Sequence, residues 1–579
     1  RRGEKKGDST LHVLPVHAPG EVRTVCTMPD GLSQLAWSPD GRWLAFVSRT
    51  RDERYEAKDV SWQAPRKIER YLSRVNGEDW IFDRPAHVYV VAADGTGAPR
   101  NLTPGAFQHD GIAWLGDSSG VITSAMRHDT WDIDLANDLY VVSLDNDESD
   151  EGVRRITAGD GDYKLASVSP DGSRVAFIGY DDTRTMSQNE KVGILPTDAE
   201  GANAEQISWI STGLDRTFAC MQAWQPPVWL DDTTLIATAE DRGDQQLFRL
   251  TTDGSADPVA LTSGAITVSG YDAEGGTVAT VRQSIERPAE LFVNDVQRTN
   301  LTDEIASKTF GWEKFTVPCT DGSDEIDAWI MRPADFDEST TYPVLLNVHG
   351  GPFTQYGEYF FDEAQMQAAA GFVVVMGNPR GGSGRHQGWG WSILGPKHPA
   401  QPGSGWGTVD VEDVLAIIDG ALDRYPFCDR ERVGMLGGSY GGFMATWLAG
   451  KHGDRFRAFC SERAVNNLVS EEWSSDIATF FKMEHGVSHV EDEEEYIARS
   501  PVRFADDIDR PMLIIHSEED WRCPIAQAEE LWIALRLRGK PVDFYRFPGE
   551  NHELSRSGSP VHRMQRAEII LDWFTEHLA

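Results

Sequence analysis

Gly437-Gly438-Ser439-Tyr440-Gly441-Gly442 is where residue type and spacing first suggest chemistry. The stretch before it, 433–436, is apolar, and the stretch after it, 443–449, is compatible with a helix. A serine at a sharp strand-to-helix turn holds its hydroxyl clear of a sheet, and the strained backbone there requires small neighbours. Such a hydroxyl becomes a nucleophile once a base takes its proton and an acid orients the base. A glycine-rich turn with an incidental serine is the plain alternative for GxSxG alone. Candidates for both partners follow, in the order serine, acid, histidine.

The acid falls in His516-Ser-Glu-Glu-Asp520-Trp-Arg522-Cys-Pro524, behind the apolar run 512–515. Glu518, Glu519 and Asp520 compete. Asp520 is preferred because Asp520-x-Arg522-x-Pro524 opens the next helix. The base is His552, in Pro548-Gly-Glu-Asn-His552 after the run 543–547. Loops that follow strands share the carboxyl edge of a parallel sheet, so the three side chains project from one side. His516, at a strand end, reads as a packed, hydrogen-bonded residue. An oxyanion needs backbone N–H donors, one after the serine and one behind an earlier strand. Tyr440 supplies the first. His349-Gly-Gly351-Pro352, after the run 344–348, supplies the second, with Gly351 as the donor.

The elements that must hold these loops alternate from residue 305 to 579. A hairpin at 315–317 and 326–331 is followed by strands at 344–348, 372–376, 457–460, 512–515 and 543–547, besides the one before Ser439. Helices are expected at 364–370, 409–422, 525–537 and 560–578. Alternating strands and helices give a parallel sheet covered on both faces. This is an α/β-hydrolase pattern.

Residues 1–304 read differently, as short strands and turns. Ser-Pro-Asp-Gly turns recur at 38–41 and 169–172, and Trp-Leu pairs recur at 114–115 and 229–230. Leu-Thr endings recur at 102–103, 261–262 and 301–302. A four-stranded unit repeating every ~40–60 residues is the mark of a β-propeller blade. About five blades are recognisable, plus a partial one at 10–28. The incomplete first blade suggests an N-terminal truncation. A charged insertion at 51–84 is read as an exposed hairpin in preference to a flap over the channel. A pair of β-sandwiches is the other arrangement, but it leaves the repeats unexplained.

Of the 579 residues, 40% are hydrophobic and 25% charged, as in globular chains. No window reaches the ~18 apolar residues of a membrane helix. The basic start, Arg1-Arg2-Gly3-Glu4-Lys5-Lys6-Gly7, has no apolar run behind it and is not a secretory signal. A net charge of -38, from 92 acidic and 54 basic residues, argues against nucleic acid or an anionic membrane as partner. Only 12 of the basic residues are lysine and 42 are arginine. That composition suits a high-salt cytoplasm, with arginine-favouring codons an equal alternative. Cys26, Cys220, Cys319, Cys428, Cys460 and Cys523 lack metal spacing, so a reduced, metal-free, cytoplasmic chain is expected.

With Asn347-Val-His-Gly-Gly-Pro352, Asn378-Pro-Arg-Gly381, Val411-Glu-Asp413, the serine turn, Glu462-Arg-Ala-Val-Asn466, 516–524 and Asn551-His552 in place, the chain resembles a serine peptidase of the prolyl oligopeptidase family, in the acylaminoacyl-peptidase branch. The resemblance implies a Ser439–Asp520–His552 triad with Gly351 and Tyr440 as oxyanion hole, no cofactor and no metal. It also implies a propeller that admits only short peptides. In the family's arrangement Phe353, Trp473, Ile477, Phe480 and Phe481 are apolar candidates for the substrate pocket. Arg463 and Arg522 are candidates to read a substrate carboxylate or carbonyl. Each of these is as readily core or an internal ion pair. Two departures stand out: an irregular Gly-, Pro- and Trp-rich segment at 389–405, and the absence of the family's N-terminal segment. A dipeptidyl-peptidase and a non-catalytic propeller binding module remain as alternatives, and a homo-oligomer is open.

Overall fold

The computed structural model describes residues 8–17, 19–55, 57, 59–146 and 152–579. The basic start of the chain lies outside them.

The second half is one eight-stranded sheet: β1 (Trp312–Pro318), β2 (Glu325–Met331), β3 (Tyr342–Val348), β4 (Val373–Gly377), β5 (Cys428–Gly438), β6 (Ala458–Glu462), β7 (Met512–Ser517) and β8 (Val542–Phe547). Their spatial order is β1-β2-β4-β3-β5-β6-β7-β8. β2 runs against β1 and β4, and every other pair is parallel. The helices that cover the sheet are α1 (Asp362–Ala369), α2 (Val409–Arg424), α3 (Tyr440–Lys451), α4 (Ala478–His485), α5 (Ala526–Leu537) and α6 (Pro560–His577).

Strand periodicity divides the core. Val344, Leu346 and Val348 of β3 join Val414, Ile417 and Ile418 of α2 and Phe443 of α3 on one face. Leu345, one residue out of phase, joins Ile570 and Phe574 of α6 on the other. A strand buried on both faces needs a continuous apolar run, which is why 344–348 and 373–376 are unbroken by polar residues except Asn347. Asn347 is satisfied by Gln367, with bonds of 2.8 and 3.1 Å.

Among the described residues, the first half forms two two-stranded sheets, Ser9–Val13 with Arg23–Met28 and Arg74–Val75 with Asp79–Trp80, and five four-stranded antiparallel units. The last two units are joined by a single parallel bridge, Gln245 with Thr267. Each unit packs on the next. Ala176, Ile178 and Ile194 of one meet Leu235, Ala237 and Phe248 of its successor. The recurring turns are the same device twice. Ser38 donates to Asp40 at 2.7 Å and Ser169 to Asp171 at 2.6 Å, with Gly41 and Gly172 at φ 70 and 74°. An all-β propeller thus precedes an α/β-hydrolase domain.

The insertion at 51–84 does contain a hairpin, Arg74–Val75 against Asp79–Trp80. It is not exposed as a whole, because its tip bonds to the hydrolase half at residues 474–479 and 552. Polar and aromatic groups read as solvent-facing in the sequence are engaged across the junction.

Candidate active site

Ser439 sits between the end of β5 and the start of α3, with φ 62° and ψ -121°. A non-glycine residue there costs ~1–3 kcal/mol and persists only where packing holds it. The hold is visible: the Ser439 amide donates to the Glu462 carbonyl on β6 at 3.0 Å. A Cβ on Gly441 would lie 2.1 Å from the Val348 carbonyl oxygen, so the turn closes on β3 only with glycine there.

His552 lies in the loop after β8 and Asp520 in the loop after β7. His552 Nδ1 donates to Asp520 Oδ2 at 2.8 Å, and the Cys523 amide donates to Asp520 Oδ1 at 2.9 Å. Both side chains are buried. Burial pushes the Asp520 carboxyl up to about 6, against the pull of His516, the Cys523 amide, Arg463 and Arg522. Burial, followed by the nearby positive charges of Arg463, Arg522 and Arg556, holds His552 well below the usual histidine range. The imidazole is therefore neutral at pH 7 and able to accept a proton, and the carboxylate that fixes its tautomer is ionised above about pH 6. His516 is buried and donates from Nε2 to the Cys523 carbonyl at 2.7 Å.

Gly351 has φ 117°, a left-handed region that favours glycine, and a Cβ there would meet the Phe353 amide nitrogen at 2.7 Å. Its loop is braced by Thr354, whose hydroxyl donates to the Gly350 carbonyl at 2.7 Å. α3 begins at Tyr440, and the first amides of a helix have no intrahelical acceptor and lie at its positive end. The Tyr440 side chain turns away from the opening, donating to buried Asp410 at 2.5 Å and packing edge-on against Trp406, ring centroids 5.1 Å apart.

These groups border one cavity of about 770 Å³ between the two halves. Ser439, His552, Gly351, Tyr440, Ile477, Phe480, Phe481, Arg463 and Arg522 all line it. Asp520 stands behind His552 rather than on the wall. Met221, Gln222, Glu240, Gly243, Gln245 and Thr267 of the propeller close the far side. Phe353 and Trp473 do not line the cavity. The Phe353 ring packs over Gly390, where a Cβ would come within 2.6 Å of it. Trp473 is 63% exposed, with its ring against His489 at 4.3 Å. Both lie in the right stretch of sequence but point elsewhere.

Sequence reasoning missed two parts of the wall. Trp406, just beyond the irregular 389–405 segment, lines the cavity and packs edge-on against Tyr440 and Phe443 and at a tilt against Phe481. That segment is packed: Trp389, Ile393, Leu394 and His398 are buried within it. The second part is an ion network behind Ser439. Arg566 Nη2 lies 2.9 Å from Glu363 Oε2, its guanidinium is held bidentately by Glu462, and Glu462 also faces Arg463 at 3.0 Å. Burial alone would raise the Glu462 carboxyl, but Arg566 and Arg463 override it and hold it at about 2. Arg566 lies 104 residues from Glu462, and no spacing signal joins them. Arg522 is likewise paired, its Nε 2.7 Å from Asp476 Oδ1.

The profile of the Prolyl oligopeptidase family matches residues 358–579. An uncharacterized peptidase, YuxL, of Bacillus subtilis is 30% identical over 99% of this chain and 88% of its own. Dipeptidyl-peptidase 5 of Porphyromonas gingivalis is 24% identical over 90% and 77%. Among solved structures, the acylaminoacyl peptidase of Pyrococcus horikoshii superposes with a TM-score of 0.83 at 24% identity, over 100% of this chain and 86% of that one. This last likeness is one of fold.

Proposed function

Because the chain belongs to the prolyl oligopeptidase family of serine peptidases, we propose that Ser439, Asp520 and His552 are its catalytic triad and that it cleaves short, N-blocked peptides by acyl transfer. The observation that carries the triad is the 2.8 Å Asp520–His552 contact beside a serine held at positive φ on the same cavity. His552 takes the Ser439 proton as the hydroxyl attacks the scissile carbonyl. The Gly351 and Tyr440 amides receive the oxyanion, and His552 returns the proton to the leaving amine. Water then attacks the acyl-enzyme by the same route. The apolar side chains of Ile477, Phe480 and Phe481 receive the residue before the scissile bond. Arg463 and Arg522 face the polar groups of the substrate. The domain boundary falls near 304/305, between the last propeller strand at Val296–Gln297 and β1.

Two observations bear on substrate mode. The cavity lies between propeller and hydrolase, which favours oligopeptides over folded proteins. Among its described lining residues the propeller contributes one carboxyl, Glu240, which is bonded by Ser383 and pushed up to about 7 by burial. A lone acid, raised so far that it is only half ionised near pH 7, is a poor clamp for a free ammonium terminus, which favours blocked termini over the dipeptidyl-peptidase mode of the Porphyromonas relative. The test is a paired panel of p-nitroanilides, N-acetylated and N-free. Faster turnover of the acetylated member is expected, and preference for free dipeptidyl substrates would reverse the assignment.

Among the described residues no helix is long and apolar enough to cross a membrane. The six cysteines are free and buried, which supports a reducing, cytoplasmic setting. The charge of -38 supports one of high ionic strength, where screening relieves self-repulsion. A melting temperature that rises with KCl is the expected sign. A homo-oligomer fits the apolar side chains left exposed on α5, Ile533 and Leu537, beside the edge strand β8.

A further inference from the structure

The hairpin at 74–80 belongs by sequence to the first propeller blades, yet it touches both loops that carry the acid and the base, the base loop at its tip and the acid loop through its strands. Asn76 is the pivot. Its side-chain oxygen accepts the backbone N–H of His552 at 3.1 Å. Its own amide donates to Asp476 Oδ2 at 2.7 Å. Asp476 holds Arg522 through Oδ1 at 2.7 Å, and its amide donates to the Trp521 carbonyl at 2.9 Å, so it is tied at both ends to the loop of Asp520.

Apolar and cationic contacts hold the hairpin in place. Trp80 lies against Trp521 with ring centroids 5.6 Å apart, and the Arg74 guanidinium stacks over the Trp521 ring at 4.8 Å. Tyr71 donates to the Asp476 carbonyl at 3.2 Å and accepts the Thr479 amide at 3.2 Å. On the propeller side, Arg49 pairs with Glu78, and Arg84 Nη1 reaches Asp30 at 2.6 Å.

We propose that Asn76 is a positioning residue for catalysis: through the backbone of His552 and through Asp476, the propeller hairpin sets the separation of the acid and base loops. The physical reason is leverage. The loop after β8 carries His552 with no regular structure on either side until Leu554, so its placement depends on such bonds. A shift of ~1 Å in a reacting group can cost ~10²-fold in rate. A residue far from the scissile bond, in a different domain, would therefore act on turnover rather than on substrate affinity.

This rests on the triad reading above, and the test keeps the two separate. Asn76→Ala, Asn76→Asp and Ser439→Ala are compared in the full chain with an N-acetyl peptide p-nitroanilide, alongside thermal melts. Asn76→Ala is expected to lower kcat about tenfold with KM within about twofold, at an unchanged melting temperature. Asn76→Asp, which keeps an acceptor oxygen for the His552 amide, restores most of kcat. The same order is expected in the rate at which a fluorophosphonate labels Ser439, which needs His552 in place but no peptide contacts. Wild-type kcat and labelling in Asn76→Ala would overturn the proposal while leaving the triad standing if Ser439→Ala is dead. A loss that follows a lowered melting temperature and is not rescued by Asn76→Asp would also overturn it. Activity surviving in Ser439→Ala would instead remove the triad reading.

Discussion

The propeller and the hydrolase domain use the same chain in opposite ways. The propeller repeats one antiparallel unit, each sheet covering its neighbour, and a turn such as 38–41 recurs at 169–172 with the same bonds. In the hydrolase sheet four strand ends each carry one of the proposed site residues: β3 for Gly351, β5 for Ser439, β7 for Asp520 and β8 for His552. Redundancy in one half and singularity in the other imply different tolerance to change. A substitution in a propeller turn removes one of several equivalent supports, whereas one at a strand end of the sheet removes a function.

The sharpest form of that contrast pairs Asp520→Asn with Asp171→Asn. Asparagine at 520 can still accept the Cys523 amide but holds the wrong histidine tautomer, and kcat should fall ~10⁴-fold with the fold intact. Asparagine at 171 keeps an acceptor for Ser169, and kcat should stay within about twofold. Steady-state kinetics with circular dichroism decides both. Comparable losses from the two would break the comparison.

Next in size is the ion network behind Ser439. Arg566→Met leaves buried Glu462 and half-buried Glu363 without their shared cation, a change of the kind that costs ~3–5 kcal/mol at a buried pair. Urea denaturation should show it, together with a drop in kcat, because Glu462 also holds the Ser439 amide through its carbonyl. Unchanged stability would mean that Arg463 alone balances the two acids.

The smallest expected effect lies where the halves meet. Burial pushes Glu240 and Glu484 up to about 7, and each is bonded across the junction, Glu240 by Ser383 and Glu484 by Ser187. Unfolded, these carboxyls titrate near ~4.3, so the folded state holds protons that the unfolded state has lost in between. Their contribution is complete below about 4 and declines as pH rises through 7. The melting temperature should fall between pH 5 and 8, and Glu240→Gln should flatten that slope without altering the triad. A slope that steepens instead would contradict the assignment.

Much of this was legible in sequence because both halves carry strong periodic signals. Near-continuous apolar runs marked β3, β4 and β7, and Ser439 and Asp520 each follow such a run, whereas His552 follows the mixed strand 543–547. The propeller repeats announced themselves by recurrence. The region 468–505 was not legible, since it folds into short helices with no sustained period, and it supplies Ile477, Phe480 and Phe481. Trp473 and Trp406 are both tryptophans flanked by polar or small residues, yet one faces solvent and the other the cavity. Only tertiary packing distinguishes them. The docking of the 74–80 hairpin was hidden for the same reason: its partners lie about 400 residues away.

The central claim is that Ser439 is a nucleophile activated by His552. Labelling the purified chain with a fluorophosphonate, followed by peptide mapping, tests it most directly. Stoichiometric modification at Ser439 is expected, with a rate that falls as pH drops below about 6, where Asp520 takes up a proton, and no modification in Ser439→Ala. Labelling at another residue, or peptidase activity in Ser439→Ala equal to that of the wild type, would contradict the account.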